Sequence, residues 1–206
     1  MIREISRAIR VSLVLWILTA ILYPAVILTV GLLPPLQYKA NGSIITNWQG
    51  QIVGSALIGQ PFTSDKYFWS RPSTTNYSSF TKEEFNPTKP ENITQRTGTS
   101  GASNLAPSNP DLIKRIEPEI NRLKQAGIPP TADLIYTSGS SLDSHISVES
   151  AKAQITRVAK VRSLNPNQLE ILVTKNTDDR FLGIFGEPGV NVLKLNLALD
   201  NIPVAR

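Results

Sequence analysis

Residues 11–33 read VSLVLWILTAILYPAVILTVGLL, a run in which 18 of 23 residues are hydrophobic and none is charged. At the α-helical rise this is a rod of about 35 Å, set against about 30 Å for the hydrocarbon core of a bilayer. One membrane-spanning helix is therefore predicted. A cleaved leader would have an apolar region of only about 7–15 residues, followed by small residues at −3 and −1. Here the run is longer, and Tyr38 would stand at −3 before Ala40. Arg3, Arg7 and Arg10 precede the span with only Glu4 opposing them, whereas Lys39 stands alone beyond it until Lys66. The positive-inside bias then puts the amino terminus in the cytoplasm and the remainder outside. The expected organisation is a cytoplasmic arm (1–10), a transmembrane helix (11–33) and one extracytoplasmic soluble domain (34–206). Pro24, in mid-span, removes one backbone donor and leaves the Ala20 carbonyl without its helical partner; neighbouring helices or the hydroxyls of Thr19 and Tyr23 are the available relief. The span has no Asp, Glu, Lys, Arg or His, so it cannot by itself conduct an ion, and any transport role is accessory.

The whole chain has 206 residues and a formal net charge of +5. That length suits one ordinary domain plus an appendage. The charge falls far short of the dense basic patches that hold nucleic acid by counterion release, so no nucleic-acid partner is expected. With no cysteine and one histidine, a thiolate nucleophile, a disulfide framework and a Cys/His zinc site are excluded, and no metal site is expected.

Beyond the span, Gly54–Gly59 (GSALIG) reads as a short strand. Pro61 to Pro110 is rich in Ser, Thr, Asn and Pro, yet Phe62, Tyr67, Phe68, Trp69, Tyr77, Phe80 and Phe85 run through it. Disordered segments are poor in aromatics, so an ordered, loop-built surface is expected. A helix is predicted from Asn109, with Pro110 at its first position, to near Gly127; its apolar stripe is Leu112, Ile116, Ile120 and Leu123, and Pro118 lies inside it. DLIYT (133–137) reads as a strand leading to the turn SGSS at 138–141. A second helix fits Ser147–Arg162, with Ala151, Ile155 and Val158 inward, and a third runs from Asn165 to about Lys175 with Gln168 as capping-box partner. Phe181–Phe185 and Gly189–Leu199 read as strands about the turn GEPG, the latter because Leu193, Leu195, Leu197 and Leu199 alternate with Lys194, Asn196, Ala198 and Asp200. Helices and strands interleave without a repeated unit, which predicts an α+β fold: one N-terminal transmembrane helix, then a single mixed domain.

Several residue groups bear on chemistry. Ser138, Gly139, Ser140 and Ser141 precede Asp143 and His145, which suggests a Ser–His–Asp hydrolase; residues two apart rarely align in series, however, and position 142 is Leu, which breaks G-x-S-x-G. The same turn sets backbone N–H groups beside hydroxyls ahead of a helix, a pattern that can receive phosphate oxygens, with Gln154 on the following helix as a possible contact. No Walker A or G-x-G-x-x-G sequence occurs. Arg71 suits either a bidentate contact with a partner carboxylate or a clasp for its own loop. Glu83 with Glu84, and Asp178 with Asp179, are adjacent pairs of the kind usually solvated rather than metal-binding.

GSALIGQPF (54–62), YFWSRPS (67–73), SGASNLAPSNP (100–110), SGSSLDSHIS (138–147), Gln154 with RVAKVR (157–162), and GEPGVNVLKLNLALD (186–200), in that order behind one span, resemble the C subunit of the Kdp-type potassium-transporting P-type ATPase. The resemblance covers nearly the whole chain. It implies a non-hydrolytic subunit of an inner-membrane, high-affinity potassium-uptake complex, whose partners are a potassium-channel-like subunit and an ATP-hydrolysing subunit, with membrane lipid around the span. It also implies a catalytic chaperone that raises the ATP affinity of the hydrolysing subunit, with no tightly bound cofactor, and nucleotide contact at Ser138, Gly139, Ser140, Ser141, Leu142, Asp143 and Gln154. Ser141 stands where the family usually has Gly. The competing class is a membrane-anchored extracytoplasmic hydrolase or ligand-binding module acting alone.

Overall fold

A computed structural model describes residues 1–79 and 98–202; the expectations for Phe80, Glu83, Glu84 and Phe85 lie outside the described residues. The chain divides into two compact units, Met1–Ile44 and Ile45–Arg206.

In the first unit, α1 (Ile2–Ile17), a π-helical turn (Leu18–Leu22) and α2 (Tyr23–Gly31) run on as one helical segment. Its 30 residues are long and apolar enough to cross a membrane. The helix begins well before the apolar run, and Arg7 pairs with Glu4 at 2.9 Å on its first turns. The π turn directly precedes Pro24: the Tyr23 N–H reaches back five residues to the Leu18 carbonyl, widening the helix where the proline ring would otherwise crowd it. Thr19 Oγ1 donates to the Leu15 carbonyl at 2.8 Å rather than to the Ala20 carbonyl. A break at Leu33 leads into α3 (Pro34–Ala40), whose first two residues are prolines.

From the last residue of the first unit the chain enters β1 (Ile44–Thr46), which pairs with β2 (Ile52–Ser55). GSALIG thus contributes only its first two residues to a strand. A long loop path follows, then α4 (Pro110–Gln125), capped by the Asn109 side chain, which accepts the Asp111 N–H. Pro118 is accommodated without ending the helix; Ile116 and Leu123 of the expected stripe are buried. The segment read as a strand at 133–137 is instead the single helical turn α5 (Ala132–Ile135), with Tyr136 extended after it. Bonds from the Leu134 N–H to Thr131 and from the Tyr136 N–H to Ala132 close that turn, which points Leu134 into the core at 0% exposure.

β3 (His145–Ser147) leads into α6 (Val148–Ala153), capped by Ser147. The single helix expected over 147–162 breaks at Gln154, whose N–H bonds three residues back to Ala151, tightening one turn before α7 (Ile155–Arg162) begins. α8 (Pro166–Lys175) starts with the expected capping box of Asn165 and Gln168. β4 (Thr177–Asp178) and β5 (Gly189–Asn191) complete an antiparallel sheet in the order β3-β5-β4, with His145 opposite Asn191 and Thr177 opposite Val190. Phe181 and Phe185 form only an isolated bridge.

The strand expected to run to Leu199 stops at Asn191 and becomes α9 (Val192–Asp200). The Asn191 side chain caps it by accepting the Lys194 N–H at 3.1 Å. Leu, Lys and Ala favour helix, and the buried residues Val192, Leu193, Leu195, Asn196 and Leu199 gather on one side of a helix, with Val192, Leu195, Asn196 and Leu199 at i, i+3, i+4 and i+7. The leucine alternation deceived because Leu195 and Leu199 satisfy both periods. The main core gathers Phe68, Ile146, Val158, Leu169, Val173, Val190, Leu195 and Leu199; a second cluster holds Trp69, Leu123, Ile128 and Leu134. The result is an α+β unit behind one apolar helix.

A strand would turn Asn196 to solvent, but the helix buries it at 1% exposure. Asn196→Ala is expected to destabilise the chain by about 1–3 kcal/mol, the cost of stranding buried backbone groups, and denaturant titration of the tyrosine and tryptophan fluorescence measures it.

Candidate functional site

Phe68 and Trp69 are consecutive residues of an irregular extended segment, and they enter different clusters of the core. Among the described residues no neighbouring strand pairs with their peptide groups. Two side-chain amides do so instead. Asn196 accepts the Phe68 N–H at 2.9 Å and donates to the Phe68 carbonyl at 2.9 Å. Gln154 accepts the Trp69 N–H at 2.8 Å and donates to the Trp69 carbonyl at 3.2 Å. Each amide does what a strand neighbour would do for one residue, and this fixes the orientation of both amides. Gln154 is 0% exposed; a residue read as a possible ligand contact is spent entirely inside the fold.

Around this clasp, Arg122 and Arg157 each stack on the Trp69 ring at 4.1 Å from its centroid. Arg157 also donates to the carbonyls of Asp65 and Tyr67 and to Gln154 Oε1. Burial pulls its guanidinium down to about 10, the Asp65 carboxylate opposing that, so it remains charged at neutral pH.

The turn 138–143 is stitched to two loops. Ser141 has a positive φ of 58°, the region a glycine occupies at least cost. Its Oγ lies 2.6 Å from the Gly101 carbonyl and 2.7 Å from Thr74 Oγ1, while its carbonyl accepts from Ser73 Oγ at 2.8 Å. The hydroxyl thus supplies bonds that a glycine would lack. The Ser140 carbonyl accepts the Gly101 N–H and the Ser100 hydroxyl, both at 3.1 Å. Leu142 holds the Gly59 N–H at 2.8 Å, and a Cβ on Gly59 would stand 2.5 Å from the Asp143 carbonyl oxygen, so only glycine fits there. Ser138 and Ser140 are half-buried, and Gly139 is exposed with nothing within 4 Å of an added Cβ. Leu142 and Asp143 are half-buried as well; Ser141 is buried.

Asp143 and His145 do not assemble a triad with that turn. Asp143 Oδ1 accepts the backbone N–H of His145 at 3.0 Å and its Oδ2 lies 3.5 Å from Arg71. His145 Nε2 meets Asp178 Oδ2 at 3.0 Å and Nδ1 meets Ser144 Oγ at 3.1 Å. Ser144 is buried and donates to the Ala56 carbonyl at 2.8 Å. Asp178 also lies 3.8 Å from Lys194. Arg71 pairs with Asp133 at 3.0 Å, and Asp133 in turn accepts the Ser147 N–H at 2.7 Å. Arg71 is thereby the clasp of its own loop. Among the described residues no cluster of His, Asp and Glu is arranged to hold a metal ion. A recess of about 340 Å³ borders the clasp, with Trp69, Arg71, Tyr77, Glu119 and Arg122 in its wall. Sequence reasoning did not assign Asn196, Arg157 or Tyr77 to this centre; the partners of Asn196 and Arg157 lie 128 and about 90 residues off in the chain, and the Tyr77 hydroxyl bonds the Arg71 carbonyl across an irregular loop that carries no periodic signal.

What these features define is a chain with one membrane-length helix ahead of an α+β unit whose polar motifs are drawn into a shared internal network. The family model described as "K+-transporting ATPase, c chain" (KdpC) matches residues 5–201. The chain is 62% identical over 201 residues to potassium-transporting ATPase KdpC subunit 1 of a Nostoc species, covering 97% of this chain and 96% of that one. It is 59% identical over 201 residues to the KdpC subunit of a Synechocystis species (98% and 100% covered) and 43% identical over 202 residues to that of Geobacter sulfurreducens (97% and 98% covered). The chain belongs to the KdpC family.

Tyr77 gives this centre a titratable reporter. Burial pushes its phenol up to about 12, and its hydroxyl donates to the Arg71 carbonyl. The fold holds the proton more tightly than the unfolded chain, so this contribution is complete below about pH 10 and is lost as pH rises through about 12. Tyr77→Phe is expected to remove that part of the alkaline loss, read from stability measured at pH 9 and pH 11. Gln154→Ala is expected to cost about 1–3 kcal/mol at neutral pH, for the stranded Trp69 groups.

Proposed function

We propose that this chain is a non-catalytic accessory subunit of an ATP-driven, high-affinity potassium-uptake complex. In this reading it is a single-pass protein of the plasma (inner) membrane, with its amino terminus in the cytoplasm and its α+β unit outside. Its partners are a potassium-channel-like subunit and an ATP-hydrolysing subunit, and its task is to stabilise their assembly. Family membership over residues 5–201 carries the reading. Two further features support it. The one membrane-length helix among the described residues has no Asp, Glu, Lys, Arg or His within 11–33, so a conducting path has to come from other chains. Arg3, Arg7 and Arg10 bias the orientation.

The resemblance also suggests a catalytic chaperone that raises the ATP affinity of the hydrolysing subunit. We infer that this effect runs through assembly rather than through a nucleotide seated on the 138–143 turn. The inference draws on Gln154 and Ser141, which are buried and bonded within the chain, and on the arginine bias, which sets the turn across the membrane from cytoplasmic ATP. A nucleotide contact would fall to Ser138, Gly139, Ser140, Leu142 and Asp143, which are not buried.

The two roles separate experimentally. The complex purified in detergent from cells with and without this chain is expected to lose intact assembly and potassium-stimulated hydrolysis together when the chain is missing. Ser140→Ala in the intact complex is expected to leave the KM for ATP unchanged; a KM raised about tenfold at full assembly would instead establish direct nucleotide contact.

A further inference from the structure

Between β4 and β5 the chain turns through a hairpin whose tip is apolar. Phe181, Leu182, Ile184 and Phe185 are 71%, 73%, 72% and 62% exposed. The tip is well ordered by its own bonds. The Phe181 N–H donates to the Phe185 carbonyl at 2.8 Å, the Phe185 N–H returns to the Phe181 carbonyl at 3.0 Å, and the Ile184 N–H meets the same carbonyl at 3.2 Å. Arg180 pairs with Glu187 at 2.7 Å across the base.

The residue at the centre of this turn runs against the chemistry of turns. Leu182 and Gly183 both have positive φ, 54° and 74°, as in the type I′ turns that favour Asn-Gly or Gly-Gly. A leucine suits neither the left-handed backbone, where its Cβ crowds the following carbonyl, nor water. Asparagine would serve the fold better on both counts. An apolar side chain displayed at a strained, exposed position has its reason outside the fold.

The residues around the tip favour one kind of occupant. Arg180 is held by Glu187 at 2.7 Å, and Lys194 lies 3.8 Å from Asp178, which also meets His145, so these cations are engaged by carboxylates rather than turned to anionic headgroups. The tip itself has none of the Trp, Tyr, Lys or Arg that anchor segments at a lipid interface. An apolar recess on a protein complements it. We propose that the Phe181–Phe185 tip is a docking knob that seats in such a recess on another chain of the potassium-transporting ATPase. This rests on the subunit reading above.

The test uses the full-length chain in the assembled complex. A benzophenone amino acid at position 182, irradiated in native membranes, is expected to cross-link to a different protein chain of the complex. Adducts confined to lipid, or to a second copy of this chain, overturn the proposal. In parallel, Leu182→Asn and the double variant Leu182→Asn/Phe185→Ser are compared with wild type for co-purification through the partner subunits. Leu182→Asn is expected to melt at or above the wild-type temperature while its retention in the complex falls about tenfold. Wild-type retention by the double variant overturns the docking role and leaves the subunit reading intact. If wild-type chain is itself not retained, the subunit reading fails, and the docking role fails with it.

Discussion

Two buried carboxamides hold this molecule together. The segment that carries Phe68 and Trp69 runs between two hydrophobic clusters as irregular backbone, where unpaired peptide groups would cost far more than any one apolar contact returns. Asn196, from α9, and Gln154, from the junction of α6 and α7, satisfy both peptide groups of both residues. The loop is thereby tied to helices 85 and 128 residues away in sequence. The break in the helix at Gln154 follows from the same requirement, because the tightened turn sets the amide against Trp69.

Electrostatics reinforces the clasp. Arg122 and Arg157 stack on Trp69, and two like charges so near one ring would repel. Arg157 is offset by the carbonyls of Asp65 and Tyr67 and by Gln154, and Arg122 by Glu119 at 2.9 Å. Arg71 acts alike toward Asp133 and Asp143. The hydroxyls, carboxylates and imidazole that suggested a reactive centre in the sequence are engaged with backbone and with one another, so the motifs that mark the family serve in large part to fasten loops. The apolar tip at 181–185, by contrast, is turned to the surface.

How much of this was legible in advance depended on range. α4 and α8 could be read almost to the residue because their signals are local: Asn109 with Pro110, and Asn165 with Pro166 and Gln168, set the caps wherever the helix later packs. α5 was misread because one helical turn is too short to show a period. α9 was misread because Leu195 and Leu199 fit two periods, and only the Asn191 cap and the burial of Asn196 select between them. At the candidate site, Ser147 as a helix cap was visible, but the partners of Gln154, His145 and Arg71 were not.

The sequence by itself determined the membrane-length helix, the α+β class, the helix caps and the family, since hydrophobic run length, capping chemistry and ordered motifs are properties of neighbouring residues. Tertiary structure alone decided that Gln154 and Asn196 stand in for strands, that Asp143 faces Arg71 rather than the His145 ring, and that Leu182 is openly displayed while Ser141 is buried. Those outcomes depend on which distant groups meet once the chain has closed on itself, and no local pattern encodes that meeting.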